Sequence, residues 1–236
     1  MVKKHFFVKL SLEVIAIIIG ISVSFWLNEL SIKNKNKAQR QRVLNNLLIE
    51  VQDIEKYCNE RISIWSQDIK IYNNLLEEDL NITPIKNEAT SKRRVEYNLI
   101  YYRDFAPPMN RYKSLLNTGD LKYLKSENIK EKLTRLHNIN FSKIISTVEY
   151  EKSLKGQIIS LLTLEYPSVF LKANNPQIIF DDYLYHLHQI IKKDKRLKSD
   201  LIVQMSYFKT RLSSLKFYQM SLEELKDELR RNLGLN

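Results

Sequence analysis

Basic and aromatic side chains mix most densely in SKRRVEYNLIYYRDF, residues 91–105. Lys92, Arg93, Arg94 and Arg103 offer charged donors that suit phosphate oxygens, the arginines through a planar fork. Tyr97, Tyr101 and Tyr102 offer ring faces on which a base can stack. The segment is therefore the candidate site for an anionic ligand, with Arg93, Arg94, Tyr97, Tyr101 and Arg103 as its core. The competing reading is a basic loop whose tyrosines pack on the domain.

Other chemistry-bearing residues are sparse. His186 and His188 are two positions apart. On a helix they point to different faces, which makes a poor metal pair. His137 stands alone. Asp181-Asp182 and the acidic run Glu223, Glu224, Asp227 and Glu228 read as solvated helix faces. Cys58 is the single cysteine, so neither an intramolecular disulfide nor a multi-cysteine metal site can form. No phosphate-cradling glycine loop, Gly-x-Ser-x-Gly elbow or His-Glu-x-x-His motif occurs. The expectation is a non-enzymatic chain with no metal and no cofactor. An enzyme whose residues meet only in space is the remaining alternative.

The elements that carry these residues read as helices. Four glycines and five prolines among 236 residues are too few to turn an all-β chain. The expected class is all-α: an N-terminal transmembrane helix, then a helical bundle with long amphipathic helices. Residues 1–30 form the anchor, 31–42 a basic juxtamembrane segment, and 43–236 the helical domain.

Val14–Leu27, VIAIIIGISVSFWL, is uncharged. It falls short of the roughly 20 residues that cross hydrocarbon. Extension back to Phe6 supplies the length and includes Lys9 and Glu13, four apart and able to pair. Phe25 and Trp26 suit an interfacial aromatic belt. A cleaved signal peptide and a buried helix of a soluble protein compete with this reading.

One anchor face repeats small residues every four positions. Glu13 leads Ala16, Gly20 and Ser24, with Asn28 one turn beyond. Such a ladder lets two helices approach closely and hydrogen-bond across the contact, so a homo-oligomer is expected. An ion path through Glu13 is a second reading. Lys33, Lys35, Lys37, Arg40 and Arg42 follow the anchor and should contact lipid headgroups. Basic flanks on both sides leave topology weakly determined. Ready translocation of a large domain leans towards an N-terminus inside and the domain outside the cytoplasm.

The net charge is +11, and the first thirty residues carry only three lysines against two glutamates. Nearly all of the excess therefore lies on the domain. Its spread favours a solvated basic surface over a nucleic-acid groove.

Within the domain, Leu44, Val51, Cys58, Trp65 and Tyr72 repeat every seven from Val43 to Leu80, widened by Leu47, Leu48, Ile54, Ile62, Ile69 and Leu76. Thr83-Pro84 is expected to break this helix. Alternation of Val95, Tyr97, Leu99 and Tyr101 hints at a short strand or extended loop. Further helices are expected over Met109–Asn117, Glu127–Tyr166, Gln177–Lys193 and Ser199–Leu233. Gly119 and Gly234 close two of them. Asp120 and Ser126 look like N-caps, and Pro167 and Pro176 bound a loop. In the last helix Leu201, Phe208, Leu215, Leu222 and Leu229 repeat every seven.

Three stretches together resemble a known family: EVIAIIIGISVSFWLNE, the amphipathic helix after it, and RYKSLLNTGDLKYLKSENIKEKL. The family comprises uncharacterised single-pass membrane proteins of Bacteroidota. Its Tyr-x-Ser-Leu … Gly-x-Leu segment is matched by Tyr112, Ser114, Leu115, Gly119 and Leu121. The likeness covers about the first 135 residues, and the tryptophan at the anchor's edge stands earlier than in the family. It implies a bacterial membrane-anchored helical protein and no activity, cofactor or substrate.

These readings converge on a single-pass inner-membrane protein that contacts membrane lipid and self-associates. Its bundle would act as a scaffold or bind a protein partner of unknown identity. The alternative is a membrane effector or sensor whose basic domain binds an anionic ligand or nucleic acid and rearranges the anchor.

Overall fold

A computed structural model describes the backbone of residues 2–235 and side chains from Ile15 onward. The fold is all-α. Helix α1, Val2–Leu76, runs unbroken through the anchor, the basic segment and the first heptads of the domain. At 1.5 Å per residue it is about 110 Å long. Residues 15–38 are exposed on every side, and burial begins in earnest at Val43. Among the described residues, one helix, near the N-terminus, is long and apolar enough to cross a membrane.

The domain is built on three rods. The second combines α5 (Glu127–Thr134) and α6 (Phe141–Glu165), joined through a π-helical stretch, Arg135–Asn140. The third is α9, Lys195–Leu233. It packs along α1 and α6 and runs antiparallel to both: Lys226 reaches Glu55, Gln219 reaches Asn59, and Lys198 reaches Glu78. The leucine and aromatic heptads make this packing. Leu44, Val51, Cys58, Trp65 and Tyr72 are all buried, as are Leu201, Phe208, Leu215, Leu222 and Leu229. Burial pushes the Cys58 thiol up to about 12, so it packs as an inert apolar group.

Short helices close the two ends. Helix α4 (Asn110–Thr118) and a 3-10 turn (Asp120–Tyr123) lie at the end nearer the anchor. Helices α2 (Ile82–Glu88), α3 (Lys92–Ile100), α7 (Ser168–Asn174) and α8 (Phe180–Lys193) gather at the far end. Asn81, Ser91, Ser126 and Asp194 cap the starts of α2, α3, α5 and α9. Gly119 and Gly234 end α4 and α9 at φ near +70°, where a side chain would be strained.

Several local expectations are corrected. Helix α1 ends at Leu76, and Thr83-Pro84 begins α2 instead of breaking a helix. Proline in a first helical turn forfeits no hydrogen bond. Asp120 opens the 3-10 turn and makes no side-chain cap. The segment between Pro167 and Pro176 is mostly helix α7. The alternating Val95–Tyr101 stretch is helical: Val95, Asn98 and Leu99 face inward, while Tyr97 and Tyr101 stack outside at 4.8 Å. Its apolar period is three to four, and the alternation was incidental.

Helix α4 has no cap of its own, since Met109 lacks a capping side chain. The buried Glu50 carboxylate of α1 fills that role, accepting the N–H of Arg111 at 2.6 Å and that of Tyr112 at 3.0 Å. A negative group here also answers the helix dipole. The π-helical stretch turns His137 into the same place. Its ring stacks on Tyr112 at 4.0 Å, with Nδ1 3.1 Å from the Met109 sulfur and Nε2 4.0 Å from Glu50.

Candidate functional site

Two apolar cores fill the bundle. The nearer one runs from Val43 to Trp65 on α1 and includes Leu215 to Leu229 on α9. The farther one runs from Ile71 upward and includes Leu201 and Phe208. Between them lies a slab of buried polar residues contributed by all three rods and α3: Asp68, Asn98, Glu151, Lys155, Gln204 and Arg211.

Arg211 is fully buried. Its guanidinium donates to Glu151 Oε2 at 2.6 Å, to Thr147 Oγ1 at 2.9 Å and to the Thr147 carbonyl at 2.7 Å. Trp65 covers it, 4.9 Å from ring centre to Cζ. Lys155 stands 3.6 Å from Glu151 and also donates to the Asn98 carbonyl, which accepts the Tyr72 hydroxyl at 2.6 Å as well. Burial pulls the Lys155 ammonium down to about 8, against the opposing pull of Glu151 and Asp68. The cost of desolvating a charge exceeds what those neighbours return.

Asp68, 2% exposed, closes the slab on the α3 side. Its two oxygens accept from Arg94 Nη2 at 2.5 Å and Arg103 Nε at 2.9 Å. Arg94 donates also to the Asn98 side chain. Arg103 lies over the Tyr97 ring at 4.8 Å. Outside this gate is a shallow pocket of about 390 Å³ lined by Ile64, Gln67, Arg94, Tyr97 and Arg103. The slab and its gate thus bring four basic side chains to two carboxylates.

The segment singled out for anionic ligands is therefore split. Arg94, Tyr97 and Arg103 come together, but both guanidinium groups are bound to Asp68 and fasten α3 and the segment after it to α1. Tyr101 stacks behind Tyr97, and Arg93 is exposed and does not line the pocket. Asp68, Glu151, Lys155 and Arg211 had no place in the sequence-based site. Their signal is a polar residue between buried apolar ones on each rod: Asp68 between Trp65 and Tyr72, Glu151 between Val148 and Leu154, and Arg211 between Phe208 and Leu215.

On the anchor, Ala16, Gly20 and Ser24 are exposed along one face. The Ser24 hydroxyl donates to the Gly20 carbonyl at 2.8 Å, so it is satisfied within its own helix. The side chain of Glu13 lies outside the described residues. Lys35, Lys37 and Arg42 are exposed. Lys33 pairs with Glu29 at 2.7 Å, and Arg40 donates to Asn232 of α9 at 3.0 Å.

No group of three His, Cys, Asp or Glu able to hold a metal occurs among the described residues. His188 bonds the Glu77 carbonyl and His186 the Ser168 hydroxyl, each at 2.9 Å. The Ser168–His186 contact resembles a nucleophile and base, but no described carboxylate orients the second ring nitrogen. It ties α7 to α8.

His137 makes the domain sensitive to acid. Burial, with Lys113 nearby, holds its imidazole down at about 4. The unfolded chain takes up this proton near 6.5, and the folded chain declines it until about 4. Stability from this residue is whole above about 6.5 and is lost as pH falls towards 4. Denaturant unfolding at pH 7.5 and pH 5 should differ by about 2 kcal/mol through His137. His137→Phe should remove that part of the difference; an unchanged pH dependence in the variant would refute the assignment.

No family model matches this chain, and neither a curated protein nor a solved structure matches it.

Proposed function

We propose that this chain is a single-pass protein of a bacterial inner membrane that self-associates and presents its bundle as a scaffold or protein-binding surface. The domain acts by binding and not by catalysis, and stands outside the cytoplasm with the N-terminus inside. The supporting observation is α1 itself. One unbroken helix is exposed from residue 15 to 38 and then forms a wall of the core. An anchor and a domain joined in this way move as one body. Whatever positions the anchor in the bilayer positions the bundle above it.

Lipid covers most of the bare helix. The face of Ala16, Gly20 and Ser24, led in sequence by Glu13, differs from the rest because small side chains leave a groove there. Ile17, Gly20, Ile21, Ser24, Phe25 and Asn28 line it. A second anchor can approach closely along such a groove, and packing is the main force between helices in lipid.

Gly20→Ile tests this reading, since a branched side chain fills the groove while the helix stays apolar. Cross-linking of the full chain in membranes should trap dimers or larger assemblies in the wild type and lose most of them in the variant. Assemblies that persist unchanged would reject the anchor interface. The second reading, a sensor for an anionic ligand, would then move ahead. It draws on the four basic groups that outnumber two carboxylates in the slab and reach the surface at Arg103.

A further inference from the structure

We infer that the cleft between the juxtamembrane part of α1 and the turn after α4 binds the headgroup of an anionic phospholipid. Lys33, Lys37 and Arg40 form one wall, Lys122 and Lys125 the other, with Asn36 and Tyr123 between them. The space is about 480 Å³ and no carboxylate lines it among the described residues, although Glu29 meets Lys33 at 2.7 Å one turn below.

The second wall is built by the fold. Gly119 turns the chain out of α4 in a left-handed conformation, and the 3-10 turn follows at once. Leu124 is buried and Leu121 packs against the nearer core, which leaves Lys122 and Lys125, the residue after each, outside. The Lys122 ammonium rests 5.3 Å from the Tyr123 ring centre. On the first wall, the bond from Arg40 to Asn232 uses Nη2 alone and fixes the direction of the guanidinium. Two pieces of chain more than eighty residues apart thus aim basic groups into one space.

Its height fits the partner. With Asn28 at the edge of the hydrocarbon, Lys33 lies about 8 Å above that edge and Arg40 about 18 Å. Headgroups occupy the first several ångströms beyond the core of a bilayer, and a lysine stem spans the remainder. The attraction of a basic residue to anionic lipid, about 1 kcal/mol each, persists within a Debye length of the surface. A lipid phosphate is therefore the anion that this cleft meets at highest concentration.

The inference rests on the membrane reading above, and the two fail differently. Carbonate extraction of the full chain from membranes reports insertion whatever the lipid. Native mass spectrometry of the detergent-solubilised full chain, titrated with phosphatidylglycerol and with phosphatidylcholine, reports the cleft. Phosphatidylglycerol should be retained preferentially, and Lys122→Gln/Lys125→Gln should weaken its retention on the order of tenfold. Both lysines are exposed, so the helical content should not change. Equal retention of the two lipids, or equal retention by the variant, overturns the proposal. Displacement of the lipid by millimolar inorganic phosphate also overturns it, because the cleft would then be a site for free phosphate.

Discussion

Arg211→Met lowers the stability of the domain by about 3–5 kcal/mol, because it strands the Glu151 carboxylate in a dry interior. In the wild type the guanidinium meets Glu151 and both oxygens of Thr147 while lying against Trp65. Methionine replaces the volume and restores none of the donors. Among the described residues Lys155 is the other cation at Glu151, at 3.6 Å, and burial already pulls it towards its neutral form. In a domain of this size the loss corresponds to about 10 °C in Tm. Thermal or denaturant unfolding of the full chain in detergent measures it. The informative companion is Arg211→Met/Glu151→Leu, which removes the lone charge as well as its partner. Most of the stability should return, as it does when buried ion pairs give way to apolar residues of similar size, with Lys155, already pulled down to about 8, giving up its proton once Glu151 is gone. A double variant as unstable as the single one would mean that Arg211 matters through Trp65 and Thr147 instead.

Asp68→Ala costs about 3 kcal/mol by the same logic with the signs reversed. Two guanidinium groups lose one carboxylate, and that carboxylate is 2% exposed. Both arginines are partly exposed and can turn towards water, which holds the cost below that of Arg211. The effect should be local first. Asp68 fastens α3 and the strand of chain carrying Arg103 to α1, so amide exchange should quicken across residues 92–103 before the rods loosen. Asp68→Asn keeps an acceptor without the charge and should fall between the wild type and alanine. Uniform quickening over the bundle would show that the slab unfolds with the whole domain.

The three rods were legible in the sequence because each carries its own period. Leu44 to Tyr72 and Leu201 to Leu229 repeat every seven and are buried throughout. Gly119, Ser126 and Gly234 also act at helix ends as their residue types suggest. What could not be read was what fills the gaps. The apolar stripe of the second rod thins to Leu154 alone between Val148 and Ile158, a gap where Glu151 and Lys155 sit. Alone, that gap resembles a solvated face. It becomes a buried layer only because α1 places Asp68, and α9 places Arg211 and Gln204, at the same height. The matching heights depend on how three rods slide past one another, a long-range property that no local pattern contains. Helix α3 is hidden in the sequence for a related reason. Val95, Tyr97, Leu99 and Tyr101 alternate as a short strand or extended loop would, whereas its N-cap Ser91 and the ties from Arg94 to Asp68 decide its conformation.

The unbroken α1 also fixes an angle. Successive residues advance about 100°, so Leu47 points about half a turn away from Gly20, while Ile49 and Lys56 return to within about 20° of it. Leu47 is buried in the core, and Ile49 and Lys56 are exposed. The small-residue face of the anchor and the bare face of α1 in the domain are therefore in phase along one rod. Two copies held at Gly20 would stand back to back, with their bundles turned outward. Lys33 and Arg40, about 220° and 200° round from Gly20, share the outward side. The basic cleft would then overlook open bilayer on each flank, and neither bundle would shade the other.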